Sequence, residues 1–129
     1  MATDNRPLSP HLQIYKPQLT SVLSITHRGT GVFLTIGAFF LTCWLLALAD
    51  GPAHFAKLQA HLTSWYGQCL VYVFVFSLYF HLCNGIRHLF WDVGMGLDID
   101  VAYKTGYAVV AGAIILTLLT LCLAAGGGA

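Results

Sequence analysis

The charged residues of this chain are distributed so that three long stretches carry none. Between Arg28 and Asp50, between Lys57 and Arg87, and after Lys104 there is no Asp, Glu, Lys or Arg, which leaves gaps at 29–49, 58–86 and 105–129. Each gap exceeds the ~20 residues that an α-helix needs to cross about 30 Å of hydrocarbon. The pattern therefore predicts three membrane-spanning helices. The first starts near Thr20 or Ser21, whose hydroxyls suit an N-cap, and stops at about Ala49, before Asp50-Gly51-Pro52. A loop of about ten residues is expected next. The second helix starts between Leu62 and Trp65 and reaches about Trp91, so that Trp65, Tyr66 and Trp91 fall at the two interfaces where aromatic rings collect. Gly94-Met95-Gly96 ends it. The third starts between Val101 and Thr105 and reaches about Ala124, ahead of a glycine-rich tail. Residues 1–20 read as a polar arm, broken by Pro7, Pro10 and Pro17. The expected fold is an all-α membrane protein with helices at about 21–49, 62–91 and 103–124.

Composition narrows the function classes. The chain is 57% hydrophobic and 9% charged, against roughly 25% charged residues in soluble domains. Only the arm and two short loops are left for water, so there is no room for a soluble catalytic domain. The net charge of +1 is uninformative about nucleic acid, but there is no basic cluster, and no nucleic-acid partner is expected. Arg6, Lys16, Arg28, Arg87 and Lys104 fall on one side of the predicted membrane and Lys57 alone on the other. This bias places the N-terminus and the loop 92–104 on the cytoplasmic side, or on the matrix side of a mitochondrion. Met1 to Gln18 has no apolar signal-peptide core. The expected location is the bacterial inner membrane, or the mitochondrial inner membrane after removal of a presequence. Gly31, Gly37 and Ala38 in the first helix, and Ala111, Gly112 and Ala113 in the third, permit close helix approach, either within this chain or to the helices of a partner.

The four cysteines, Cys43, Cys69, Cys83 and Cys122, are dispersed through apolar sequence and read as small buried side chains. Iron–sulfur or zinc ligation needs clustered thiolates that they do not provide. Asp92, Asp98 and Asp100 fit no calcium loop and read as a solvated loop that meets a partner.

The residue with most chemical content is His81. It lies six residues before Arg87, hence ~9 Å deeper along a helix. An ionisable group at that depth is a candidate functional residue. A neutral imidazole there either ligates a metal, most economically haem iron, or is bonded to a neighbouring oxygen. Gly85, four residues on, shares its face and leaves room for a flat macrocycle. His88, seven residues on, meets a haem propionate or extends to the interface. No second histidine lies at that depth: His61 falls at the opposite surface and His27 at the near interface. A haem with two histidine ligands would borrow the second from another subunit. Ser24, His27 and Arg28 share a helical face at the near interface. A hydroxyl and a guanidinium there suit the carbonyl oxygens of a lipid quinone, with His27 and Asp92 as candidates for proton supply. The alternative is an ordinary arginine anchor for lipid phosphate.

These residues carry a family resemblance. Arg6-Pro7-Leu8-Ser9-Pro10-His11-Leu12, Ile14-Tyr15-Lys16, Leu19-Thr20-Ser21 and Ser24-Ile25-Thr26-His27-Arg28-Gly29-Thr30-Gly31 resemble the N-terminal motif of the succinate dehydrogenase cytochrome b subunits. His81, Gly85-Ile86-Arg87-His88-Leu89 and Trp91-Asp92 match that family's second motif. The resemblance covers essentially the whole chain. It implies a membrane anchor of succinate:quinone oxidoreductase, respiratory complex II of the tricarboxylic acid cycle, with succinate oxidised on another subunit. It further implies that His81 is an axial ligand of haem b, with the other ligand from a second small anchor subunit that completes the bundle. Ser24 and Arg28 become contacts of ubiquinone, and His27, Arg28 and His88 fall near haem propionates. The arm and the loop 92–104 become the dock for the iron–sulfur subunit, which is in turn joined to the flavoprotein. An anchor of fumarate reductase and a haem-free structural anchor are the competing readings.

Overall fold

The computed structural model describes residues 16–127. Most of the expected arm, including its first motif up to Tyr15, lies outside the described residues. The described chain forms four helices, α1 (Leu19–Asp50), α2 (Pro52–Thr63), α3 (Trp65–Asp92) and α4 (Ile99–Gly126). Three of them, α1, α3 and α4, are long and apolar enough to cross a membrane. At 1.5 Å per residue, the 28 residues of α3 extend roughly 42 Å, more than the hydrocarbon thickness. The three spans were legible from the charge gaps; α1 and α4 run slightly past the expected limits at both ends, and α3 starts at Trp65, within the expected range, and ends one residue later.

Three local details depart from expectation. α1 starts at Leu19 with Gln18 as its N-cap, so Thr20 and Ser21 sit inside the first turn and cap nothing. α4 starts at Ile99 behind Asp98, earlier than expected, with Asp100 in its first turn, where a carboxylate suits the positive end of the helix dipole. The largest difference is α2, which replaces the expected ten-residue loop. Gly51 (φ 126°) makes the sharp corner after α1, and Pro52 opens α2 at a position where a missing N–H costs nothing. Phe55, Leu58, Gln59 and Leu62 are the partly buried positions, an i, i+3, i+4, i+7 stripe. That stripe seats on α1, where Trp44 packs against Phe55 with ring centroids 5.5 Å apart and its Nε1–H donates to Gln59 Oε1 at 3.3 Å. Ser64 caps α3 by accepting from Gly67 N at 3.3 Å. Gly67 is buried against the end of α2, where a Cβ would meet Leu62 Cα at 2.7 Å.

α3 is the central helix and packs on both α1 and α4. Leu23, Phe80, Val109 and Ala113 form the buried core, flanked by Leu19, Phe76, Tyr79, Cys83 and Val110. Four of the expected small residues, Gly31, Gly37, Gly112 and Ala113, work at helix contacts. A Cβ on Gly112 would touch Cys83 Sγ, and Gly37 seats the ring of Phe74. Gly106 performs the same service between α1 and α4, because a Cβ there would lie 2.8 Å from Leu23 Cδ1. Little else is covered: none of the most apolar window of α1 is buried, and 17% of the corresponding windows of α3 and α4. The outer surface is apolar, with Val32, Ile36, Phe39, Phe40, Ile115 and Leu119 among its exposed residues.

Candidate haem- and quinone-binding site

His81 is held by the backbone of α1. Its Nδ1 lies 3.1 Å from the carbonyl oxygen of His27 and 3.2 Å from Thr30 Oγ1. A carbonyl oxygen only accepts, so Nδ1 carries the proton. Thr30 Oγ1 donates its own proton to the His27 carbonyl at 2.9 Å, which leaves an oxygen lone pair for the imidazole N–H. The neutral ring thus keeps a bare lone pair on Nε2. Metal-ligating histidines show this arrangement, one nitrogen donating to a carbonyl and the other free for the metal. Among the described residues, His27 Nδ1 is the one buried side-chain nitrogen or oxygen without a partner. His81 Nε2 makes no hydrogen bond in that set either, so it opens outward from the bundle. Gly31 keeps the ring's edge clear: a Cβ there would stand 3.1 Å from His81 Cε1.

His27, expected at the near interface, lies level with His81 in the bundle. Its ring stacks on that of His81, centroids 4.0 Å apart and 10° from parallel. The site next to Gly85, expected to receive a macrocycle, instead receives the His27 ring, whose Cε1 would touch a Cβ there at 3.6 Å. His88 completes the group, tilted against His27 at 5.0 Å and edge-on to Trp91 at 5.1 Å. The three rings do not converge on one point, and no group of three or more His, Cys, Asp or Glu side chains among the described residues is arranged to hold a metal ion. Stacked face to face on His81, His27 would not hold the opposite side of a metal bound at His81 Nε2.

Ser24 and Arg28 remain a pair on α1, with Arg28 Nη2 donating to Ser24 Oγ at 3.4 Å. Arg28 is one residue past His27 and so turned by about 100° from it. While His27 faces α3, Arg28 is exposed and Ser24 is half-buried. The described residues do not enclose them. A cavity of about 330 Å³ at the same end of the bundle lies between Gln18, Thr20 of α1, Trp91 of α3 and Ala102 and Tyr103 of α4, without Ser24 or Arg28 in its walls. Asp92 is exposed at the last residue of α3 and bonds to none of these groups among the described residues.

Two polar residues that the sequence reading gave no site role lie beside this group. Asn84 is fully buried, and Arg87, expected as a surface marker, is 4% exposed and turned into the bundle. Arg87 donates to Thr105 Oγ1 at 3.1 Å, to the Ala102 carbonyl at 2.8 Å and to Asn84 Oδ1 at 3.4 Å. Its guanidinium also lies over the Trp91 ring, 4.0 Å from the centroid. The signal was present: Asn84 is an i, i+3 neighbour of His81 and Arg87 of Asn84, and an uncompensated polar side chain in a spanning helix is a functional marker.

Residues 2–120 match the family described as succinate dehydrogenase/fumarate reductase transmembrane subunit. The chain belongs to that family. It is 43% identical over 117 residues to the succinate dehydrogenase cytochrome b556 subunit of Paracoccus denitrificans, covering 91% of this chain and 90% of the relative. It is 47% identical over 116 residues to the subunit of the same name from Rickettsia prowazekii, covering 90% of each. It is also 43% identical over 120 residues to the mitochondrial cytochrome b560 subunit of Mus musculus, covering 88% of this chain and 68% of the relative. The chain is accordingly a membrane-anchor subunit of a succinate dehydrogenase-type complex. It contributes to an enzyme without carrying the dehydrogenase chemistry itself.

Proposed function

We propose that His81 is one axial ligand of a haem b held between this chain and a second membrane-anchor subunit, and that Ser24 and Arg28 form part of a ubiquinone-reduction site on the cytoplasmic or matrix face. The observation that carries the haem assignment is the Nδ1–H of His81 bonded to the His27 carbonyl, which leaves Nε2 free. The stacked placement of His27 supports a second ligand from outside this chain. The names of the relatives as cytochrome b subunits support the same reading. Bound there, haem b supplies a one-electron redox centre within the membrane.

The residues of this chain then have separate tasks. Thr30 and the His27 carbonyl orient the His81 ring and raise its basicity through the Nδ1 hydrogen bond. Arg28 and Ser24 present N–H and O–H donors to a quinone carbonyl, which becomes more negative as electrons arrive. Quinone reduction also consumes two protons, and His27, His88 and Asp92 are candidates to supply them at that end of the bundle. The open setting of Ser24 and Arg28 fits a pocket completed by the iron–sulfur subunit, which would dock on the arm and the loop 92–104. Succinate oxidation belongs to the flavoprotein subunit, with electrons passing through the iron–sulfur clusters to the quinone. The membrane is a bacterial or mitochondrial inner membrane.

Haem content per purified complex, wild type beside His81→Ala, tests the reading. The variant complex is expected to lose most of its haem while the flavoprotein still reduces a soluble dye with succinate. Full haem occupancy in the variant overturns the assignment.

A further inference from the structure

The side-chain amide of Asn84 is 0% exposed and meets three groups that together dictate its orientation. Arg87 Nη1 is 3.4 Å from Oδ1, the Leu23 carbonyl oxygen is 3.4 Å from Nδ2, and His88 Nε2 is 3.4 Å from Nδ2. A guanidinium can only donate and a carbonyl can only accept. Both demand the same amide orientation, since the flipped one would set NH₂ against guanidinium and oxygen against oxygen. Nδ2 therefore faces His88, and His88 Nε2 must accept. A neutral imidazole that accepts at Nε2 carries its proton on Nδ1. Arg87 cannot swing away from this task, because its remaining nitrogens are committed to Thr105 and Ala102 of α4 and its plane to Trp91.

We infer that Arg87 and Asn84 are positioning residues that lock His88 as its neutral Nδ1–H tautomer, presenting one hydrogen-bond donor beside His27 and His81. His88 Nδ1 has no partner among the described residues and is not among their sealed, unpartnered atoms, so the donor opens outward. Its ring centroid is 5.0 Å from that of His27, which itself stacks on His81. The use of that donor, toward an acceptor oxygen of the group bound at His81, rests on the haem reading above; the tautomer itself does not.

The test is solid-state ¹⁵N NMR of the assembled complex in lipid, with only this chain's histidines labelled and His88 assigned by its loss in His88→Phe. In the wild type, Nε2 of His88 is expected at an unprotonated position and Nδ1 at a protonated one. In Asn84→Asp a carboxylate can only accept, so Nε2 is expected to move to a protonated position. A protonated Nε2 in the wild type, or an unprotonated Nε2 in Asn84→Asp, overturns the proposal. If the variant does not assemble, the wild-type spectrum alone decides. Haem content of His81→Ala reports on ligation independently, so failure of one proposal is distinguishable from failure of the other.

Discussion

Thr30 does for His81 what no residue within α3 can do: it helps decide which imidazole nitrogen is free. Fifty-one residues separate the two side chains, and their contact exists only because α1 packs on α3. Spacing rules report neighbours on one helix, so they found His81, Gly85 and His88 as a face but not Thr30 or Gly31 across from it. The contact of His27 with His81 was hidden for the same reason, since only the packing shows its ring against that of His81. Thr30→Val keeps the shape and removes one acceptor, while the His27 carbonyl still holds Nδ1–H. The loss of a net stabilisation of about 1 kcal/mol is expected. Haem should remain, and its midpoint potential should rise, because a less strongly hydrogen-bonded imidazole is a less basic ligand. Redox titration of the purified complex checks this, and a lowered potential would contradict it.

At the level of the helices, charge gaps exposed three of them, because a membrane span is written as an absence of charge over twenty residues or more. α2 left a different trace. Its stripe at Phe55, Leu58, Gln59 and Leu62 and its leading Pro52 are helical signals, but too short and too polar for a spanning segment. Arg87 was read only as a surface marker because a cation at a helix end is ordinarily an anchor to the headgroups. Here the nearby α4 offers it a carbonyl and a hydroxyl, and Asn84 an amide oxygen, so it turns inward without a carboxylate partner among the described residues. It is thereby a strap between α3 and α4. Arg87→Met preserves bulk and apolar stem but leaves Asn84 Oδ1 buried without a donor, at an expected cost of about 1–3 kcal/mol. The thermal midpoint of the detergent-solubilised complex should fall, and an unchanged midpoint would remove Arg87 from the α3–α4 contact.

For the molecule as a whole, the three spans leave most of their apolar surface uncovered, and the candidate quinone residues stand open. An anchor of this form is completed by other chains. Arg28→Ala removes a charged donor worth about 1.5–3 kcal/mol, and should therefore lower kcat/KM for quinone roughly 10- to 100-fold. Haem content and succinate-dye reduction should stay at wild-type values. Equal losses in all three would mean that Arg28 supports assembly instead of quinone contact. The central claim is that His81 coordinates the haem iron. The most direct measurement is the reduced-minus-oxidised visible spectrum and midpoint potential of the complex carrying His81→Met, beside wild type. A thioether in place of imidazole raises the potential of a haem it ligates, so the account predicts a displaced α-band at higher potential, or loss of the band. An unchanged band at an unchanged potential would place the ligand elsewhere and contradict the account.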